Sequence, residues 1–231
     1  MEQQVGLARG YTRSHRLYEL GGIILGVSAG GALALRLSST ENLSGWWVPL
    51  ALFLGLLGAD LTSGLVHWAC DTWGSLRTPV LGKLAIRTFR EHHVDPMAIT
   101  RHDFVETNGH NIALSVLPSL VGLCRLEHRT LASTVVAMSL LSMALFVGLT
   151  SQIHKWAHQT EPPMVVRWLQ DARLILAPRH HDEHHVAPYD RNYCITTGWL
   201  NGPLRAVRFF ETAERLISRF TRAKPRCPAS D

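Results

Sequence analysis

The chain is short of charge. Asp, Glu, Lys and Arg together make up 18% of its 231 residues, below the roughly 25% of soluble domains. Its four cysteines, Cys70, Cys124, Cys194 and Cys227, form no CxxC pair, which speaks against a disulfide scaffold and a thiolate zinc site. No internal repeat is visible, the first apolar block lacks a small-residue cleavage site, and no nucleic-acid recognition motif accompanies the basic residues. At 46% apolar residues the composition also excludes disorder and a collagen or mucin stalk. The excess is in histidine: thirteen, in a chain whose formal charge is already +5 with all of them neutral.

The apolar residues fall into blocks. Glu19 to Leu37 and Trp46 to Val66 each approach the ~20 residues that span hydrocarbon, the second opening on a Trp pair suited to a membrane interface. Leu131 to Ile153 carries no charge and is long enough to cross with some tilt. A further block begins at Ile112 and is apolar to Cys124. Its core would be only about 20 Å long as a helix, short of a ~30 Å hydrocarbon layer, and Pro118 should kink it, so a broken or re-entrant helix is one reading.

These blocks predict an all-α integral membrane bundle of about four transmembrane helices, spanning roughly 19–37, 46–66, 112–126 and 131–153. Four crossings put both termini on one side, and basic residues agree. Arg9, Arg13 and Arg16 precede the first span, Arg77, Lys83, Arg87, Arg90 and Arg101 follow the second, and Lys155, Arg167, Arg173 and Arg179 follow the last. The opposite loops hold only Arg36, Arg125 and Arg129, so the positive-inside rule places the termini, 67–111 and 154–220 in the cytoplasm. The expected organisation is a cytoplasmic segment 1–18, a membrane domain 19–220 with a histidine-rich cap, and a disordered tail 221–231.

The histidines cluster in that cap. His67 and Asp71 lie four apart beyond the second span, and His154 and His158 repeat the spacing beyond the last, so each pair shares a helix face and can reach one metal. The intervening loop adds Glu91, His92, His93, His102 and His110. Residues 179–185 read RHHDEHH between Pro178 and Pro188, where a short helix would put His181, His184 and His185 on one face. His180 pairs with His184 equally well, so spacing does not choose between His180 and His181. His15 and His128 lie apart from the cluster. The remaining candidates, His67, Asp71, His92, His93, His102, His154, His158, His180 or His181, His184 and His185, are too many for one tetrahedral zinc and fit two metals better. The plainer alternative is that they are interfacial or hydrogen-bonding residues, with His102 and His180 orienting ligands rather than binding metal. Asp60, inside the second span and two turns before His67, can orient the site, meet a polar substrate group or bond a neighbouring helix.

GLVHWACDTWGS (64–75), FREHHVDPMAITRHDFVETNG (89–109), QIHKWAH (152–158) and HHVAPYDRNYCITTGWLNGPL (184–204) resemble the Kua-type family of histidine-box membrane desaturases, closest to its plasmanylethanolamine branch. The likeness runs from about residue 13 to 225. It implies a di-iron, O2-dependent enzyme that introduces the vinyl-ether double bond into the O-alkyl chain of an ether phospholipid. The family's metal positions fall on His67, Asp71, His92, His93, His102, His154, His158, His181, His184 and His185, while His110 departs from its pattern. Abstracting hydrogen from an unactivated alkyl chain needs an oxygen-activating metal, which favours iron. Thr62, Ser63, Thr150 and Ser151, one turn inside the ligands, either line a substrate entry or pack helices. Lys83, Arg87, Arg167, Arg173 and Arg191 either steer an acidic electron carrier, a cytochrome b5 or ferredoxin, or only contact anionic lipid. Acyl-chain desaturation or hydroxylation, a non-catalytic metal-dependent regulator, and a zinc hydrolase using Glu91 or Glu183 are the competing readings.

Overall fold

A computed structural model describes residues 11–41 and 43–226. Among these the protein is helical throughout, without strands. Three helices are long and apolar enough to cross a membrane: α1 (Arg13–Ser38), α2 (Trp47–Thr72) and α7 (Leu131–His158). Between α2 and α7 lie a π-helical turn (Gly82–Ile86), α3 (Arg87–Val94), α4 (Ala98–Arg101), α5 (Phe104–Leu114) and α6 (Val116–Leu126). After α7 come α8 (Met164–Asp171), α9 (Pro178–Asp182), α10 (Asn201–Ala206) and α11 (Phe209–Thr221).

The helices meet through small residues, as van der Waals packing in lipid requires. At Gly55 of α2 an added Cβ would lie 2.2 Å from the Ser139 carbonyl of α7. Beside it the Ser142 hydroxyl donates to the Leu52 carbonyl at 2.8 Å. At Gly26 of α1 a Cβ would lie 2.3 Å from the Ile112 carbonyl of α5. One apolar core forms where Leu33 and Leu37 of α1 meet Ala51, Leu126, Ala137 and Met138. A second, of Ile153, Ala157, Val166, Ile175, Leu176 and Ile195, lies under the end of α7. Outward-facing side chains stay apolar, with Ile24, Leu25 and Val27 all more than 60% exposed. So wide an apolar exterior marks a membrane protein.

Three features bear on the sequence expectations. The segment 112–126 is not one helix: α5 and α6, 11 residues each, meet at Ser115 rather than at Pro118. A proline ring clashes with the carbonyl four residues earlier, here Leu114, so the break falls one turn before the proline. At about 16 Å each, neither half crosses alone. α1 starts at Arg13, inside the segment expected to precede the membrane domain. The tail is also not loose from 221, since the Arg226 amide donates to the Thr72 carbonyl at 2.8 Å. Residues 1–10 and 227–231, the remainder of the expected terminal segments, lie outside the described residues.

Candidate metal centre

Four separate stretches of chain deliver the histidines. α2 and α7 each end with a pair four residues apart, so His67 with Asp71, and His154 with His158, project side by side from their last turns. The π-helical turn feeds α3, which carries His92 and His93. α9 opens on Pro178, whose missing N–H costs nothing there. It ends at Asp182, so of His181, His184 and His185 only His181 belongs to it. His184 and His185 follow in turns closed by their amides on the His181 and Asp182 carbonyls at 2.8 and 3.1 Å. The expected single helix face is therefore replaced by a helix and a turn, and the three histidines are shared between two groups.

One group is His92, His154, His158, His181 and His185; the other is His67, Asp71, His93 and His184. In each, the ligand atoms lie within 4.8 Å of one another. Neighbours in sequence are divided, His92 from His93 and His185 from His184. The ring centroids of His184 and His185 are 5.5 Å apart and those of His67 and His154 6.3 Å, so the groups adjoin.

The chemistry of the second group fits a cation. His67 Nδ1 lies 3.1 Å from the Tyr193 carbonyl and His184 Nδ1 2.6 Å from the Arg191 carbonyl. A carbonyl only accepts, so each ring carries a proton on Nδ1 and turns Nε2 inward. Those nitrogens face the Asp71 carboxylate at 3.3 and 3.5 Å. His93 Nε2 faces it at 3.1 Å. Three ring nitrogens and a carboxylate facing one point make a donor set suited to a cation, and backbone orientation of this kind is the usual support of a metal-bound histidine.

The first group is all imidazole. Nε2 atoms approach in pairs, His154 to His181 at 2.8 Å, His185 to His181 at 3.0 Å and His158 to His92 at 3.2 Å. The buried Nδ1 atoms of His92, His181 and His185 have no partner. Burial holds His92 and His181 well below the ordinary histidine value and brings His185 down to about 2. The rings therefore stay neutral, the form in which imidazole binds metal.

His102 and His180 join neither group. The His102 ring lies 3.6 Å from Glu106 and its carbonyl accepts from Lys155. His180 Nε2 meets the Asn201 side-chain nitrogen at 2.9 Å, so His181, not His180, faces the cluster. Asp60 takes a role that no spacing rule indicated. Fully buried, it accepts from the amides of Thr196, Thr197 and Gly198 at 3.2, 2.8 and 3.0 Å and from Leu200 at 3.1 Å. It thus latches the loop whose earlier residues supply the carbonyls of Tyr193 and Arg191. Those acceptors were invisible in the sequence because every residue has one.

A cavity of about 400 Å³ adjoins the first group, with His92 and His154 in its wall. Thr62, Ser63, Thr150 and Ser151 all line it, although Ser63 and Thr150 also hold structure, through the Ile195 amide at 3.0 Å and the Thr196 hydroxyl at 2.7 Å. Most of the wall is apolar, including Val66, Leu84, Ile99 and Val147. Arg87, expected on a basic surface, is instead buried in that wall and bonded to Glu91 at 2.8 Å. Lys83, Arg167, Arg173 and Arg191 are exposed as expected.

Long apolar helices, two adjoining groups of histidines that could hold metal and an apolar cavity against one of them define the class: a helical membrane protein with a candidate metal centre. The chain belongs to the lipid desaturase domain family, whose model matches residues 56–228, and it is thereby an oxidoreductase of the desaturase class. It is 49% identical to the plasmanylethanolamine desaturase of Myxococcus xanthus, over 95% of this chain and 78% of that one. It is 46% identical to mouse plasmanylethanolamine desaturase 1 over 78% of this chain and 68% of the relative. With the chloroplastic fatty acid desaturase 4 of Arabidopsis thaliana it shares 37% identity over 73% of this chain and 51% of the other. No solved structure matches.

Proposed function

We propose that this protein is a plasmanylethanolamine desaturase, forming the vinyl ether of a plasmalogen from the O-alkyl chain of an ether phospholipid. The observation that carries the reading is the cavity: an alkyl chain along its apolar wall lies against His92 and His154. Two irons, held by His92, His154, His158, His181 and His185 and by His67, Asp71, His93 and His184, would supply the oxygen activation that side chains lack. His102 is left outside both sets.

In the overall balance the alkyl chain gives up two hydrogens and its new double bond, one O2 becomes two waters, and two electrons and two protons come from a donor. The protein's own part is positional. Val66, Leu84, Ile99 and Val147 hold the chain and exclude water. The Tyr193 and Arg191 carbonyls fix the tautomers of His67 and His184, and Asp60 holds the loop that bears them.

The membrane domain is proposed to cross four times, α5 and α6 together making the fourth crossing at about 33 Å for their 22 residues. Charge then sets the histidine cap and both termini in the cytoplasm, at the inner membrane in a bacterium or the endoplasmic reticulum in a eukaryote. Lys83, Arg167, Arg173 and Arg191 are proposed to receive a cytochrome b5 or ferredoxin. The test is lipid analysis of cells expressing the chain and fed an alkyl ether phosphoethanolamine lipid. Acid-labile vinyl ether is expected; its absence from cells containing folded protein and reductant overturns the reading, and new acyl double bonds in its place would establish acyl-chain desaturation.

A further inference from the structure

The cavity wall carries a polar patch besides the metal group. Glu19 of α1 lines it yet is only 1% exposed, and a carboxylate inside a membrane helix is costly without a role. Its oxygens meet the Tyr11 hydroxyl at 2.5 Å and His110 Nδ1 at 3.1 Å. The approach of α1 to α5 is tight, since a Cβ on Gly109 would lie 2.4 Å from the Glu19 Cβ. The other ring nitrogen of His110, Nε2, is buried and has no partner.

Glu106 and Thr107 lie on the same wall, Glu106 one turn before His110 on α5. Thr107 is 6% exposed and its hydroxyl is also without a hydrogen-bond partner. Of the cavity's carboxylates, Glu91 is neutralised by Arg87. Glu19 pairs with His110 and Glu106 with His102, while Arg87 and Arg16 also act on Glu106 electrostatically. Two carboxylates, a hydroxyl and a ring nitrogen thus line one wall of the cavity, and the Thr107 hydroxyl and His110 Nε2 among them are buried polar atoms that an occupant could satisfy. Three residues before Glu19 and Glu106, Arg16 and Asp103 form an exposed ion pair at 2.5 Å, so the patch lies one turn inside the exposed end of α1 and α5.

We propose that Glu19, Glu106, Thr107 and His110 form the subsite for the primary ammonium of the substrate's headgroup. This rests on the ether-lipid reading above and adds to it the basis of headgroup choice. An ammonium offers three N–H donors and a charge, matching the patch in both. A trimethylammonium retains the charge without the donors, and a glycerol headgroup lacks the charge, so preference should fall in the order ethanolamine, choline, glycerol.

The test uses the purified full-length enzyme in nanodiscs. Binding of 1-O-alkyl phosphoethanolamine, phosphocholine and phosphoglycerol lipids is measured by native mass spectrometry, alongside turnover of each. Wild type is expected to bind the ethanolamine lipid about tenfold more tightly than the glycerol lipid, and Glu106→Gln to lose most of that preference. The loss should appear in KM far more than in kcat, and Glu106→Asp should restore part of it. Thr107→Val, which removes one hydroxyl at nearly constant shape, should weaken ethanolamine binding about threefold and serves if Glu106→Gln does not accumulate. Equal binding of all three headgroups by wild type, or an undiminished preference in the variants, overturns the subsite. Selective binding without any vinyl ether formed would instead keep the subsite and overturn the proposed reaction.

Discussion

Asp60→Asn is the sharpest test of how the centre is held. The carboxylate accepts three amides on Oδ1 and one on Oδ2, all from residues 196–200. The asparagine oxygen can keep the first three, but each falls from a charge-assisted bond to a neutral one, a loss of about 1 kcal/mol apiece. Its NH2 then faces the Leu200 amide, donor against donor, stranding a buried N–H at about 1–3 kcal/mol. The total, roughly 4–6 kcal/mol, corresponds to a drop in melting temperature of order 10 °C for a chain of this size. The loosened loop also carries the Tyr193 and Arg191 carbonyls, so His67 and His184 lose their orientation. Metal affinity should fall about 10–100-fold, the usual cost of removing an orienting partner. Thermal unfolding followed by tryptophan fluorescence, with metal content per folded chain, reads both effects. Ser63→Ala, which removes the acceptor of the Ile195 amide and a donor to the Asp60 carbonyl but leaves the Asp60 carboxylate in place, should show a smaller version of each. A fully loaded Asp60→Asn protein melting within about 2 °C of wild type would refute the latch.

Metal analysis of the purified protein should give about two irons per chain; a single zinc would favour a hydrolase. His154→Ala and His185→Ala should abolish turnover while the protein still inserts, and undiminished activity in either removes that residue from the ligand set. His181→Ala should lose metal whereas His180→Ala, whose ring meets Asn201 rather than the cluster, should retain it; equal metal content in the two would reverse that assignment. Stability without metal should depend on pH in one direction. His92, His181 and His185 are held by burial below the ordinary 6.5, the last to about 2, so below pH 6.5 the unfolded chain binds protons that the folded chain refuses. Each such histidine then costs about 1.4 kcal/mol per pH unit as pH falls, with no dependence from 7 to 8. Melting temperatures of chelator-treated protein between pH 5 and 8 check this, and a flat profile would remove burial as the cause.

The parts legible in the sequence were those set by local periodicity. An apolar run of twenty residues and an i, i+4 pair at its end both follow from helix geometry, so α2 and α7 and the clustered pairs in their last turns could be placed from residue spacing. So could the inclusion of His92, His93, His184 and His185. What spacing could not supply was any choice made across the chain. His180 and His181 are equivalent within their own helix, and only the Asn201 side chain, twenty-one residues on, captures one ring and leaves the other to the cluster. Arg87 reads as one more member of a basic loop until the fold buries it against Glu91. Asp60 offered three roles in sequence, because the loop that chose among them lies more than 130 residues away.

The same distinction explains why the candidate centre depends on more than the nine side chains that could hold metal. An imidazole on a helix end can rotate, and either nitrogen can carry the proton, so a cluster of neutral rings has no preferred arrangement of its own. For His67 and His184 the arrangement comes from backbone carbonyls on one irregular loop. Irregular backbone has no internal ladder to keep it in place. Here Asp60 holds the amides of 196–200, while the Asn201 side chain bonds both the amide and the carbonyl of Cys194 at 2.9 Å. At Gly64 an added Cβ would lie 2.5 Å from the Cys194 sulfur, so α2 and the loop approach as closely as glycine permits. The metal-facing nitrogens are therefore aimed by a buried helix carboxylate acting through a loop, and a change at position 60 should be felt at His67 and His184 before any ligand is altered.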